Sequence, residues 1–187
     1  MHYINPTGHQ TLKIEANESK TITLEDFQTG SRTFHLVIQM MGENAKCEVI
    51  GRIQSKGTDR KVWKIEQQYQ GHNQTGHIQL RGTAEDQAFL ELDGGAILEQ
   101  SSTQSDAEVT EKIILFDQAR GRALPILTVK TDDVKAAGHG ASIAPINEEL
   151  ILYFQSRGIV KKEAEKLIKE GFLDLVEDPD SSNRRSL

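Results

Sequence analysis

Apolar and polar residues alternate along most of the first 145 positions. The alternation runs through Leu12 to Glu15, Thr21 to Leu24, Thr33 to Met40, Cys47 to Ile53 and Val62 to Ile65. It continues through His77 to Leu80, Ala88 to Leu92, Lys112 to Phe116 and Pro125 to Lys130. A period of two puts alternate side chains on opposite faces of a strand, so these stretches predict strands with one buried face. Turn-forming residues separate them: Thr29-Gly30, Gly42-Glu43-Asn44, Gly57, Gly71-His72-Asn73 and Asp93-Gly94-Gly95. Strands recurring about every 10–13 residues fit a sandwich, a barrel or a parallel β-solenoid, and no crisp repeat motif separates the three. Strands that are numerous yet polar outside, with few two-residue Asn-Gly turns, lean toward the solenoid.

The pattern changes at Pro145. Asn147 suits an N-cap, and Glu148 and Glu149 follow where a helix dipole favours acids. A helix through Leu150 to Phe154 is predicted to stop at Gly158, a residue suited to the C′ position. Five apolar residues in succession cover more than one helix face. Burial is therefore expected on several sides, by its own domain, a neighbouring helix or a partner. A second helix is predicted from about Val160, with Val160, Ala164, Leu167, Ile168 and Leu175 as its apolar stripe. The expected organisation is a β core over residues 1–145, a helical segment over 146–176 and a loose polar tail over 177–187.

Composition narrows the functional classes. A net charge of −6, without basic runs, gives no electrostatic footprint for nucleic acid. The longest apolar run is far below the roughly 18 residues that span a bilayer, so no membrane contact is expected. The N-terminus carries no basic-then-apolar leader pattern, and a cytoplasmic location is expected. Cys47 is the sole cysteine, so neither an internal disulfide nor a multi-cysteine zinc site can form within one chain.

No enzyme motif appears. There is no phosphate-cradling Gly-x-x-x-x-Gly-Lys-Ser/Thr, no nucleophile elbow, and no carboxylate pair recognisable as acid and base. A solenoid enzyme acting on polysaccharides would need such a pair along one face. The chain is therefore expected to be non-catalytic. Cys47 lies in a strand-like run and reads as a small buried hydrophobe, with metal ligation or sulfur acceptance as a weaker reading. His72 and His77 flank a Gly-rich turn and read as surface histidines, without an evident third ligand.

Four fixed-offset groups carry a family resemblance: Gly138 to Ile143, Ile146 to Glu149, Tyr153 to Ile159, and Glu163-Ala164 followed by Gly171-Phe172. Together they resemble the C-terminal signature of the SufB/SufD family of iron–sulfur cluster assembly proteins, with agreeing spacing through residues 133–176. Gln104 to Ala107, Ala119-Arg120 and Pro125 to Leu127 resemble that family's last β-coils, whereas residues 1–100 match only in being strand-rich.

The resemblance implies a mainly β fold, a right-handed parallel β-helix followed by two C-terminal helices. It implies pairing through the β-helices with a SufB-like paralogue, or a homodimer. It also implies docking of a SufC-like ABC ATPase on the helices, through Tyr153, Phe154, Arg157 and Gly158. No intrinsic cofactor is implied, but a transient iron or iron–sulfur cluster at the complex interface is. His139 is the candidate ligand, set between Gly138 and Gly140.

Two departures from the family pattern matter. The resemblance lacks the helical N-terminal domain that members usually carry, so a minimal form or an isolated core is expected. His139 is followed by Gly140, as in SufD, and no thiol lies beside it. The competing expectation is a self-assembling β-solenoid that has kept the fold without the cluster role.

Overall fold

The computed structural model describes residues 1–174. The chain divides into two compact units, Met1–Ile146 and a second beginning at Asn147. The predicted tail over 177–187 and the stripe residue Leu175 lie outside the described residues.

The first unit contains twelve strands: β1 (His2–Ile4), β2 (Gly8–Ile14), β3 (Ser19–Asp26), β4 (Arg32–Met40), β5 (Lys46–Ser55) and β6 (Arg60–Tyr69), followed by β7 (Thr75–Ala84), β8 (Phe89–Leu98), β9 (Ser105–Leu115), β10 (Arg120–Ala123), β11 (Ile126–Val129) and β12 (Val134–Pro145). One sheet runs β1-β3-β5-β7-β9-β12, and the other, even-numbered apart from β11 on β8, runs β10-β8-β6-β4-β2. Every pairing is parallel. The chain thus winds alternately through two sheets, a parallel β-helix of about five turns.

Parallel register stacks like on like. On one wall Ile22, Val49, Ile78 and Val109 form a column of fully buried side chains. On the other wall Phe34, Trp63 and Leu92 form another, as do Met40, Tyr69 and Leu98. A fully buried aliphatic or aromatic side chain contributes about 1.5–3 kcal/mol, so these columns carry the fold. Where a column would be overfilled, glycine intervenes: a Cβ at Gly51 would lie 2.6 Å from Leu80 and 2.9 Å from Trp63.

The turns repeat as regularly as the strands. Asn17, Asn44, Asn73 and Gln104 all adopt positive φ, and so do Gly57, Asp86 and Asp117 at the opposite corner. Asparagine and aspartate tolerate the left-handed region because their short polar side chains bond locally. Here they also bond from coil to coil. The Asn44 amide donates to Asn17 Oδ1 (3.0 Å), 27 residues earlier in the chain. Asn73 donates to Asn44 Oδ1 (2.7 Å), 29 residues earlier. The repeat absent from the strands is therefore present in the turns.

One turn is pinned from within. The fully buried Lys61 ammonium donates to Asp26 Oδ1 (2.7 Å) and to the Gln28 carbonyl (2.6 Å), holding the β3–β4 connection against the core. Burial lowers the Lys61 pKa, and the Asp26 carboxylate opposes that shift. Asp93-Gly94-Gly95, expected as a turn, instead lies inside β8. Gly94 stacks on Ile65, and the space its missing side chain leaves is taken by Glu111, reaching in from β9.

The second unit holds α1 (Glu148–Ser156) and α2 (Lys161–Asp174), which contact each other. Asn147 caps α1 by accepting from Glu149 N (2.9 Å) and Leu150 N (3.3 Å). At the other end Gly158 takes φ 83°, Gly158 N bonds Gln155 O (2.9 Å) and Ile159 N bonds Phe154 O (3.1 Å). That pair of bonds is a Schellman motif, and it accounts for the glycine.

Candidate functional site at the open end of the β-helix

β12 is the longest strand and the last of its sheet, paired with β9 on one side only. The sequence pattern missed it, because Ala, Gly and Ser occupy too many of its positions for alternation to show. β12 places His139 in mid-strand.

Register decides where His139 faces. It pairs with Val109, so it extends the buried column Ile22–Val49–Ile78–Val109 by one more rung. Yet the histidine is exposed. Its neighbours behave alike: Ala137 stacks on Ala107, Ala141 on Glu111 and Ile143 on Ile113. The β9 members of these pairs are buried, whereas the β12 members are exposed. On the other wall Val129 stacks on Leu98 and is 41% exposed. The core-facing rows of the last coil are thus presented outward. On the reverse face of β12, a Cβ at Gly138 or Gly140 would meet nothing within 4 Å.

This end combines an unpaired edge of backbone donors and acceptors, a low-profile Gly/Ala surface, exposed apolar side chains and one imidazole. An unpaired edge is a template for strand addition, and neutral imidazole is a metal ligand. One coil inward, Glu111 is fully buried and accepts from Gly94 N. Burial pushes its carboxyl up to about 7, against the lowering effect of the Gly94 and Leu124 backbone N–H groups. Nothing in the sequence pattern singled out Glu111; a lone acid at an inward position of β9 was the only available signal.

The other candidate residues lie elsewhere. Cys47 is buried in the core, and burial pushes its thiol up to about 12, against a hydrogen bond with Gln67. At neutral pH that group is a thiol, which neither ligates nor attacks as a thiolate would. His72 is bonded to Thr103 Oγ1 (2.8 Å), and His77 Nε2 lies 4.0 Å from Asp106, so the two histidines have separate partners.

Tyr153, Phe154, Arg157 and Gly158 cluster on α1 and its C-cap. The Arg157 guanidinium sits 5.4 Å from the Tyr153 ring centroid, and Tyr153 and Phe154 meet edge-on at 6.0 Å. Of the five apolar residues in succession, Ile151 is buried, while Leu152 and Tyr153 are 64% and 54% exposed.

The family model for the SufBD core domain of the SUF system of FeS cluster assembly matches residues 5–172. The chain belongs to the SufBD family. Over 104 residues it is 36% identical to the iron–sulfur cluster assembly protein SufD of Bacillus subtilis, covering 55% of this chain and 24% of that protein. A SufBD family iron–sulfur cluster assembly protein of Mycobacterium tuberculosis is 31% identical over 80 residues, or 42% of this chain and 20% of the relative. A second such protein of that organism is 24% identical over 179 residues, covering 89% of this chain and 20% of the relative. The chain thus spans about a quarter or less of the length of these relatives. No described helix is long and apolar enough to cross a membrane.

Proposed function

We propose that this SufBD-family chain is a non-catalytic, SufD-like scaffold subunit for iron–sulfur cluster assembly, and that its partner covers the open end of the β-helix. The observation that carries this reading is His139, the one polar side chain in a column otherwise made of Ile22, Val49, Ile78 and Val109, and the only exposed member. A partner strand laid along β12 would satisfy its free edge, cover Ile143 and Val129, and enclose the imidazole between two bodies. The occupant is a SufB-like paralogue or a second copy of this chain.

Iron, or a nascent cluster, is the cargo. His139 supplies one nitrogen ligand from this side, and thiolates come from the partner, because burial holds Cys47 as a thiol. Gly138 and Gly140, on the reverse face, keep that side of β12 low and open to a partner. The α1 surface of Leu152, Tyr153 and Arg157 docks a SufC-like ABC ATPase, with aromatic and arginine anchors held by a rigid Schellman turn.

Co-purification with a SufC-like ATPase from the same source tests the reading, comparing the full chain with one ending after Pro145. Capture by the full chain and loss in the truncated chain is the expected result. Failure of the intact chain to capture the ATPase would overturn the docking role. Retained complex formation with a SufB-like partner when β12 is blocked by Ala141→Pro would overturn the role of the open end.

A further inference from the structure

A second group of metal-binding chemistry lies at the other end of the β-helix. Register places His9 of β2 beside His35 of β4, followed by Lys64 and Asp93, along the outer face of the even-numbered sheet. The sheet order ends at β2, so His9 stands on the edge strand and is exposed, while His35 is half-buried. Their rings meet edge-on with centroids 4.5 Å apart, and the two Nδ1 atoms are 3.0 Å apart. Of the six histidines in the chain, these are the two whose rings touch each other.

We propose that His9 and His35 form a two-imidazole site for a divalent first-row transition metal of borderline softness, such as nickel, copper or zinc. Metal–nitrogen bonds of about 2.0–2.1 Å put two cis ligands roughly 2.9–3.4 Å apart, and the rings already stand at that separation. No strand has to move, because the parallel register fixes both Cβ atoms on one face. Burial lowers the His35 pKa, and the neighbouring His9 and Lys64 lower it further. Glu66 and Asp93 act the other way, and Asp93 lies 4.0 Å from the Lys64 ammonium, so that cation is partly offset.

The Nδ1–Nδ1 contact is within hydrogen-bond distance, and a metal held by both Nδ1 atoms requires each ring to carry its proton at Nε2. On His9 that nitrogen is 3.4 Å from Thr11 Oγ1, whereas on His35 it is buried without a hydrogen-bond partner among the described residues. The unsatisfied His35 Nε2–H weakens the site, and solvent fills the remaining coordination positions. The site is therefore a reversible, open one, suited to capture and release. It is independent of the open end at His139.

The test is calorimetric titration of the full chain with Ni²⁺ alone, repeated on His9→Gln, His35→Gln and His139→Gln. His9→Gln is the decisive variant, because an edge-strand surface change leaves the core untouched. The expected result is one equivalent bound by the unaltered chain, weakened at least about tenfold by His9→Gln and by His35→Gln and unchanged by His139→Gln. Addition of Cu²⁺ should broaden the ring NMR signals of His9 and His35 before those of the other histidines. Binding that survives His9→Gln, moves to His139, or is weaker than about 1 mM in the unaltered chain would overturn the proposal.

Discussion

The column that begins at Ile22 passes through two environments. Over four rungs it is aliphatic and sealed; at the fifth it becomes a histidine and opens to solvent. A repeat protein that ends in water ordinarily closes its stack with a polar terminal rung. This one does not: Ile143 and Val129 remain apolar at the open end. The inner coils bury their inward side chains, whereas the last coil leaves them exposed.

Substitutions should separate the two regions by their currency, stability in one and association in the other. The largest loss of stability is expected at Trp63, fully buried between Phe34 and Leu92. Trp63→Ala should cost about 3–5 kcal/mol in urea unfolding. A cost near 1 kcal/mol would show that the inner coils are not close-packed.

Glu111 comes next, at the boundary between the regions. Its carboxyl sits at about 7 in the folded chain, against 4.5 ordinarily. The folded state therefore holds the proton more tightly than the unfolded state does. Stability is fullest below pH 4.5 and falls as pH rises toward 7, by roughly 3 kcal/mol from this group. Glu111→Gln should remove that part of the slope. An unchanged difference between pH 5 and pH 7 would show that the carboxylate is solvated at the open end.

A smaller effect is expected in the turn ladder. Asn44→Ala loses two side-chain bonds and strains a residue at φ 58°. It should cost about 1–2 kcal/mol, with Asn44→Gly recovering part of the loss. The smallest stability effect belongs to His139→Ala, within about 0.5 kcal/mol. The same change should lower the iron or cluster content of the purified complex. If His139→Ala destabilises the isolated chain as a core residue would, the two regions are not distinct.

Much of the architecture was legible. The period-two alternation of β3 to β8 and the change at Pro145 follow directly from which residues must be buried. The repeat itself was not legible in the strands, because many different apolar residues can fill an inward position. It was written in the turns instead, in Asn17, Asn44 and Asn73, whose amides bond only once the coils are stacked. Gly94-Gly95 misled as a turn because local propensity cannot register that Glu111 needs the space. At the site, His139 was singled out by resemblance to a family motif. Its orientation could not be, since β12 lacks alternation and its facing is set by β9 alone. His9 and His35 are 26 positions apart, and only coil register makes them neighbours.

The near-constant spacing between register partners has a kinetic consequence. Each coil closes a loop of about 30 residues, so the closure entropy is nearly the same for the fifth coil as for the second. Once one coil has closed, the next finds a finished template and meets no greater barrier. Folding can then spread along the axis like a zip, and its slow event is the first closure. β12 is an edge strand that hydrogen-bonds within its sheet to β9 alone, so it can open without breaking the pairing of the earlier coils. The edge proposed to receive a partner is thereby also one that can be remodelled without disturbing the coils beneath it.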